Sequence, residues 1–215
     1  MKRMVYLLFL VALATGCNVI GKGVVGSGNR VTQKRDVPSF LAVEVSGAYE
    51  VEIVVQKERS LELSGDDNIL PLVTTEVKNN VLRISSSKGF NIKRPVALKI
   101  YVPELEAVST SGANHISVSG IKNSELKIDS SGASKLNLTG ETKKLVIDTS
   151  GASNIEAKEL YAQNVNVESS GAGYVSVYAT GELNASASGA ARVDYYGNPA
   201  SVKPDVSGAA SVNKK

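Results

Sequence analysis

From Ser111 to Ile128 the chain reads SGANHISVSGIKNSELKI, and from Ser131 to Ile147 it reads SGASKLNLTGETKKLVI. One tripeptide opens both stretches, and apolar residues fall at the same offsets in each. Self-similarity at a fixed period is the signature of a repeat architecture. Ser-Gly-Ala recurs at Ser46, Ser111, Ser131, Ser150, Ser170, Ser188 and Ser207, and from Ser111 onward the spacings are 20, 19, 20, 18 and 19.

Five residues after each Ser stand Val51, Ile116, Leu136, Ile155, Val175, Val193 and Val212. Two further on come Ile53, Val118, Leu138, Ala157, Val177 and Tyr195. Five before the next Ser-Gly-Ala are Leu126, Leu145, Val165, Leu183 and Val202; three before it are Ile128, Ile147, Val167, Ala185 and Pro204. Polar residues such as Lys127, Asp129, Asn166 and Glu168 lie between. Apolar positions two apart with polar residues between them describe half-buried strands. Each repeat thus predicts two short strands. Gly120, Gly140, Gly181 and Gly197 lie between the two, where a corner needs positive φ or lacks room for a side chain.

One repeat buries about four aliphatic side chains, worth roughly 6–12 kcal/mol. Ordering its backbone costs ~19 kcal/mol or more. A lone repeat therefore cannot fold, whereas stacked repeats share one core and one hydrogen-bond ladder. Strands one period apart run parallel, and parallel crossovers are right-handed. The expected fold is an all-β, right-handed parallel β-helix with Ser-Gly-Ala corners. An antiparallel sandwich also has short strands and regular turns, but it does not need one tripeptide at every turn.

The N-terminus carries a different message. Met1-Lys2-Arg3-Met4 is basic, Val5 to Ala14 is apolar, and Thr15-Gly16 precede Cys17. That is a secretory leader, too short to span a bilayer as a helix. Ala14-Thr15-Gly16-Cys17 resembles a bacterial lipobox, which implies cleavage after residue 16 and lipidation of Cys17, the chain's single cysteine. Asn18 in place of Asp implies sorting to the outer membrane. Residues 17–30, rich in Gly, read as a tether. The β-helix domain is expected over 31–215.

Leu41 and Val43 before Ser46, and Val51, Ile53, Leu61 and Leu63 after it, place a first repeat at the domain's start. Over 64–108 the register breaks. Thr74 to Ile84 reads as a hairpin turning at Asn79-Asn80, and Ala97 to Val102 as another strand. This insertion is expected to cover one end of the stack, since solenoid ends expose strand edges.

Phe40-Leu41-Ala42-Val43-Glu44-Val45-Ser46-Gly47-Ala48, then Gly65-Asp66-Asp67-Asn68-Ile69-Leu70-Pro71-Leu72-Val73, then Thr75-Glu76-Val77 and Leu82-Arg83-Ile84-Ser85 resemble the head GIN domain family (DUF2807). The resemblance spans roughly residues 30–212. It implies a β-helix on an exported, often lipid-anchored bacterial protein with an adhesin-like surface role, and it brings no catalytic residues.

Composition narrows function further. Lys and Arg number 24 against 21 Asp and Glu, and Lys2 and Arg3 leave with the leader, so the mature chain is close to neutral. That excludes a nucleic-acid footprint. Asp129, Asp148, Glu168 and Asp205 each lie two residues before a Ser-Gly-Ala, forming an acidic column broken at Ser186. The column reads as a Ca²⁺ site or as a solvated face relieved by nearby Lys. The Gly-Gly-x-Gly-x-Asp pattern of calcium solenoids is absent, which favours the second. The Ser column reads as a hydrogen-bonded corner ladder, because a nucleophile needs a base beside it and the single His, His115, has no evident third partner.

Tyr174, Tyr178, Tyr195 and Tyr196 cluster in adjacent repeats. Tyrosine offers an apolar face and a polar tip, so the cluster is the candidate ligand face. The leading expectation is a non-enzymatic, cofactor-free envelope lipoprotein displaying a β-helix for adhesion or interaction. Its partners would be the membrane through its lipid, an envelope polysaccharide or surface protein, and further copies through the solenoid ends. The alternatives are a carbohydrate-binding module using the tyrosines, or a polysaccharide-active enzyme. Such enzymes need Asp with Arg or Lys in a groove, and Arg192 is the only arginine after Arg94.

Overall fold

The structure is a computed structural model, and it describes residues 23–215. The leader over 1–16 and the expected lipidation site Cys17 lie outside the described residues. The chain forms a β-solenoid of about five turns. Its body is a ladder of long strands, His115–Gly132, Lys135–Gly151, Asn154–Gly171 and Tyr174–Ala187, each paired parallel with the next. The two short strands expected per repeat are thus halves of one strand, bent at a corner. Gly120 (φ 73°), Gly140 (φ 133°) and Gly197 (φ 87°) make that bend with left-handed backbone. Gly181 serves differently: a Cβ there would stand 2.9 Å from the Gln163 carbonyl oxygen.

The inward columns form the core. Val51, Ile116, Leu136, Ile155, Val175 and Val193 are all buried, as are Leu126, Leu145, Val165 and Leu183. The last rung is looser: Val202 and Val212 are half-buried and Pro204 is exposed.

Chain order and stacking order part company at the other end. Val73–Lys78 and Val81–Ser86 form the expected hairpin, with Asn79 and Asn80 both at positive φ (52° and 61°). Val81 to Ile84 then pairs parallel with Ala42 to Val45, and Val96–Val102 pairs parallel with Tyr49–Val55. Ala107–Gly112 and His115 to Ser119 pair with the opposite edges of those same strands. The first Ser-Gly-Ala rung is therefore sandwiched: residues 81–102 lie on one side and residues 107–119 on the other. Ser60–Asp66 packs antiparallel on Val96–Val102, and Arg30–Arg35 antiparallel on Ser60–Asp66. Reversing strand direction ends the parallel ladder and closes that end.

One expectation is corrected here. Residues 23–30 are not free tether. Val24–Val25 pairs with Phe90–Asn91. Ser27 Oγ and Asn29 Nδ2 donate to the Asp67 carboxylate at 2.6 and 2.8 Å, the Gly28 N–H donates to Asp66 at 3.0 Å, and the Ser27 N–H donates to Asn68 Oδ1 at 2.9 Å. The Asp66-Asp67-Asn68 stretch is a clasp on the incoming chain.

Candidate functional site

Two outward faces carry the sequence-derived candidates. The first is the polar trough beside the Ser-Gly-Ala corners. Glu44, Ser109, Asp129, Asp148, Glu168, Ser186 and Asp205 lie in register on successive turns, with Ser46, Ser111, Ser131, Ser150 and Ser170 in register beside them. Small side chains at a corner leave a depression. Two hollows of about 340 and 220 Å³ run along it and share Asp148. Asp129 pairs with Lys127 at 3.2 Å and Glu44 with Arg83 at 3.2 Å. Among the described residues, no three His, Cys, Asp or Glu side chains converge as metal ligands.

The expected Ser ladder takes another form. Of the Ser-Gly-Ala serines among the described residues, only Ser111 and Ser46 bond to each other through their hydroxyls, at 3.0 Å. The corner is laced by backbone instead. The Ala133 N–H donates to the Gly112 carbonyl, Ala152 to Gly132, and Ala172 to Gly151, each at 2.8 Å. His115 Nε2 lies 3.5 Å from Asn137 Nδ2 and bonds no Ser hydroxyl.

The second face bears the tyrosines. Along Tyr174–Ala187 and Arg192–Tyr196, Val175, Val177 and Val193 point into the core. Strand alternation then turns Tyr174, Ser176, Tyr178, Arg192, Asp194 and Tyr196 outward together. Tyr178 is in register with Tyr196, as the repeat requires. Tyr195 is a correction: it pairs with Val177 and packs against the core, so it leaves the candidate set.

Sequence spacing missed Tyr161. It is in register with Tyr178, and the two rings meet edge to face with centroids 4.8 Å apart. Tyr161, Tyr178 and Tyr196 thus form a ladder over three turns, with Tyr174 beside it.

Asp194 organises this face. Its side chain is only 3% exposed and sits against half-exposed Arg192. Arg192 donates from Nε to Oδ1 at 3.0 Å and from a terminal nitrogen to Oδ2 at 2.9 Å, and the Tyr174 hydroxyl donates at 3.2 Å. Asn213 Nδ2 donates at 3.3 Å, and Lys215 Nζ stands 3.7 Å away. Burial pushes the Asp194 carboxyl up, but Arg192 and Asn213, as hydrogen-bond donors, and the charges of Arg192 and Lys215 outweigh it and hold it below the usual carboxylate range. Burial first, then the Asp194 charge, pushes the Tyr174 phenol up. Ser176, paired in register with Asp194, is 1% exposed, and its hydroxyl has no partner among the described residues.

These observations define a parallel β-solenoid with a capped end, a polar trough and a tyrosine face. The chain belongs to the family described as "Putative auto-transporter adhesin, head GIN domain", which it matches over residues 39–199. Among solved structures, a putative adhesin from Bacteroides fragilis NCTC 9343 is similar at 22% identity and a TM-score of 0.72. The comparison covers 90% of this chain and 100% of that one. A putative lipid binding protein from Parabacteroides distasonis ATCC 8503 gives 19% identity and a TM-score of 0.58 over 90% and 100%. A putative adhesin from Parabacteroides merdae ATCC 43184 gives 20% and 0.56 over 90% and 99%. At these identities the likeness concerns the fold. No curated protein matches.

Proposed function

We propose that this chain is a non-enzymatic cell-envelope lipoprotein, anchored through Cys17 in the outer membrane, whose solenoid is an adhesion or interaction head. The observation that carries the reading is the tyrosine face. Exposed aromatics are enriched at partner surfaces because one end is apolar and the other polar. The family and its adhesin relatives support a role in adhesion. Catalysis finds little support: no Ser of the corner column hydrogen-bonds a His or a carboxylate among the described residues.

Two experiments test the proposal. Labelled palmitate fed to the native host is expected in the wild-type chain and absent from Cys17→Ser, which should leave the outer-membrane fraction. The full chain is expected to capture envelope material saturably, and Tyr161→Ala/Tyr178→Ala should lose that capture. Capture of equal strength by the double variant would remove the tyrosine face from the interaction.

A further inference from the structure

The tyrosine face holds more detail than an interaction surface requires. We infer that it binds an uncharged glycan lying along the stack, with tyrosine rings taking sugar faces and polar groups between them taking sugar hydroxyls. This rests on the interaction reading above and names its ligand class.

Four observations lead there. Tyr161 is 54% exposed, the only aromatic among the exposed large apolar side chains of the described residues. Its edge-to-face contact with Tyr178 at 75° presents one ring's edge and the other's face. A sugar ring is about as long as the rise between rungs, roughly 4.8 Å, so successive sugars can meet successive tyrosines.

Second, the phenols are free. Tyr174 spends its hydroxyl on Asp194, while those of Tyr161, Tyr178 and Tyr196 make no hydrogen bond among the described residues. Third, Ser176 turns outward in the middle of this face, 1% exposed, with an unpartnered hydroxyl. It lies near the Tyr174 phenol, whose hydrogen is given to Asp194. A buried hydroxyl left unpaired is unfavourable, and a ligand hydroxyl reaching it would satisfy it.

Fourth, charge around Ser176 is matched. Asp194 is neutralised by Arg192 and Lys215, and Glu156, two turns away, by Lys135 at 3.4 Å. Glu141, in register with Tyr161, has no ion-pair partner among the described residues, so an anionic chain would be repelled there. The face therefore favours an uncharged, polyhydroxylated chain over an acidic polysaccharide.

The test uses the full-length chain in a detergent without a sugar headgroup. It is titrated with neutral tetra- to hexasaccharides of glucose, mannose, galactose and N-acetylglucosamine. The chain has no Trp, so binding is followed by tyrosine fluorescence, with calorimetry beside it. Saturable binding by at least one compound is expected, weakened tenfold or more by Tyr161→Ala and by Tyr178→Ala. Ser176→Ala should weaken it several-fold while the melting temperature holds or rises, which a purely structural Ser would not do. No binding across the panel, or binding untouched by both tyrosine variants, overturns the inference. If envelope capture survives that failure, only the glycan assignment falls; if capture fails too, the interaction reading falls with it.

Discussion

Behind each Ser-Gly-Ala, two small inward positions face each other across the corner. Thr110 meets Ser134 at 3.1 Å, and Ser130 meets Ser153 at 2.8 Å. One and two turns on, the facing positions become Gly173 and Ala191, in register with Ser153. Thr149 and Ser169 continue the first column, and their hydroxyls are buried without partners. The two kinds of site should respond oppositely. Thr149→Val keeps the shape and removes an unsatisfied group, so it should stabilise by about 1 kcal/mol. Ser130→Ala orphans the Ser153 hydroxyl and should cost about 1–3 kcal/mol. Urea denaturation midpoints would check both; a loss from Thr149→Val would mean that water or an unseen donor serves that hydroxyl. The sequence gives no hint of this difference, because Ser and Thr at these positions look alike until the facing column is known.

At the scale of the corner, the tripeptide has a backbone explanation. Gly151 has φ 100°, and a Cβ on it would stand 2.5 Å from the Gly132 carbonyl oxygen, the acceptor of the Ala152 N–H. Positive φ and close stacking thus act together. Gly151→Ala should destabilise by about 2–4 kcal/mol, measured by thermal unfolding, whereas Ala152→Ser, at an exposed position, should change little. This is why the solenoid was legible: the corner needs glycine on every turn, and the inward columns repeat with it. Two features were not legible for a matching reason. Residues 81–102 form a rung without Ser-Gly-Ala, so nothing in the chain marks their register. Tyr161 reaches Tyr178 only through a register shift between Ala157 and Tyr161. Fixed counting from Ser150 arrives at Lys158 instead.

Across the whole molecule the two ends are held by different means. Antiparallel strands Ser60–Asp66 and Arg30–Arg35 close one end, and the Asp66-Asp67-Asn68 clasp fastens the incoming chain to it. The other end finishes on parallel strands with half-buried Val202 and Val212, and with Val206 45% exposed. Asp194 is the tie there, since it joins Tyr174 on one turn, Arg192 on the next, and Asn213 and Lys215 on the last. Repeat proteins unravel from their weaker end. Amides of residues 201–214 should therefore exchange fastest, and Asp194→Asn should speed them further while leaving residues 42–128 slow. The variant should cost about 1–3 kcal/mol at pH 7, from hydrogen bonds to a charged group. The sign with pH follows from the depressed carboxyl. Its contribution is complete above the unfolded carboxylate value of about 3.9 and is lost as pH falls through the lower folded value. The stability gap between wild type and Asp194→Asn should thus stay constant from pH 7 to about 5 and close below about 4. A gap that widened on acidification would mean that burial, rather than Arg192, governs this carboxyl, and the tie would then lie elsewhere in the last rung.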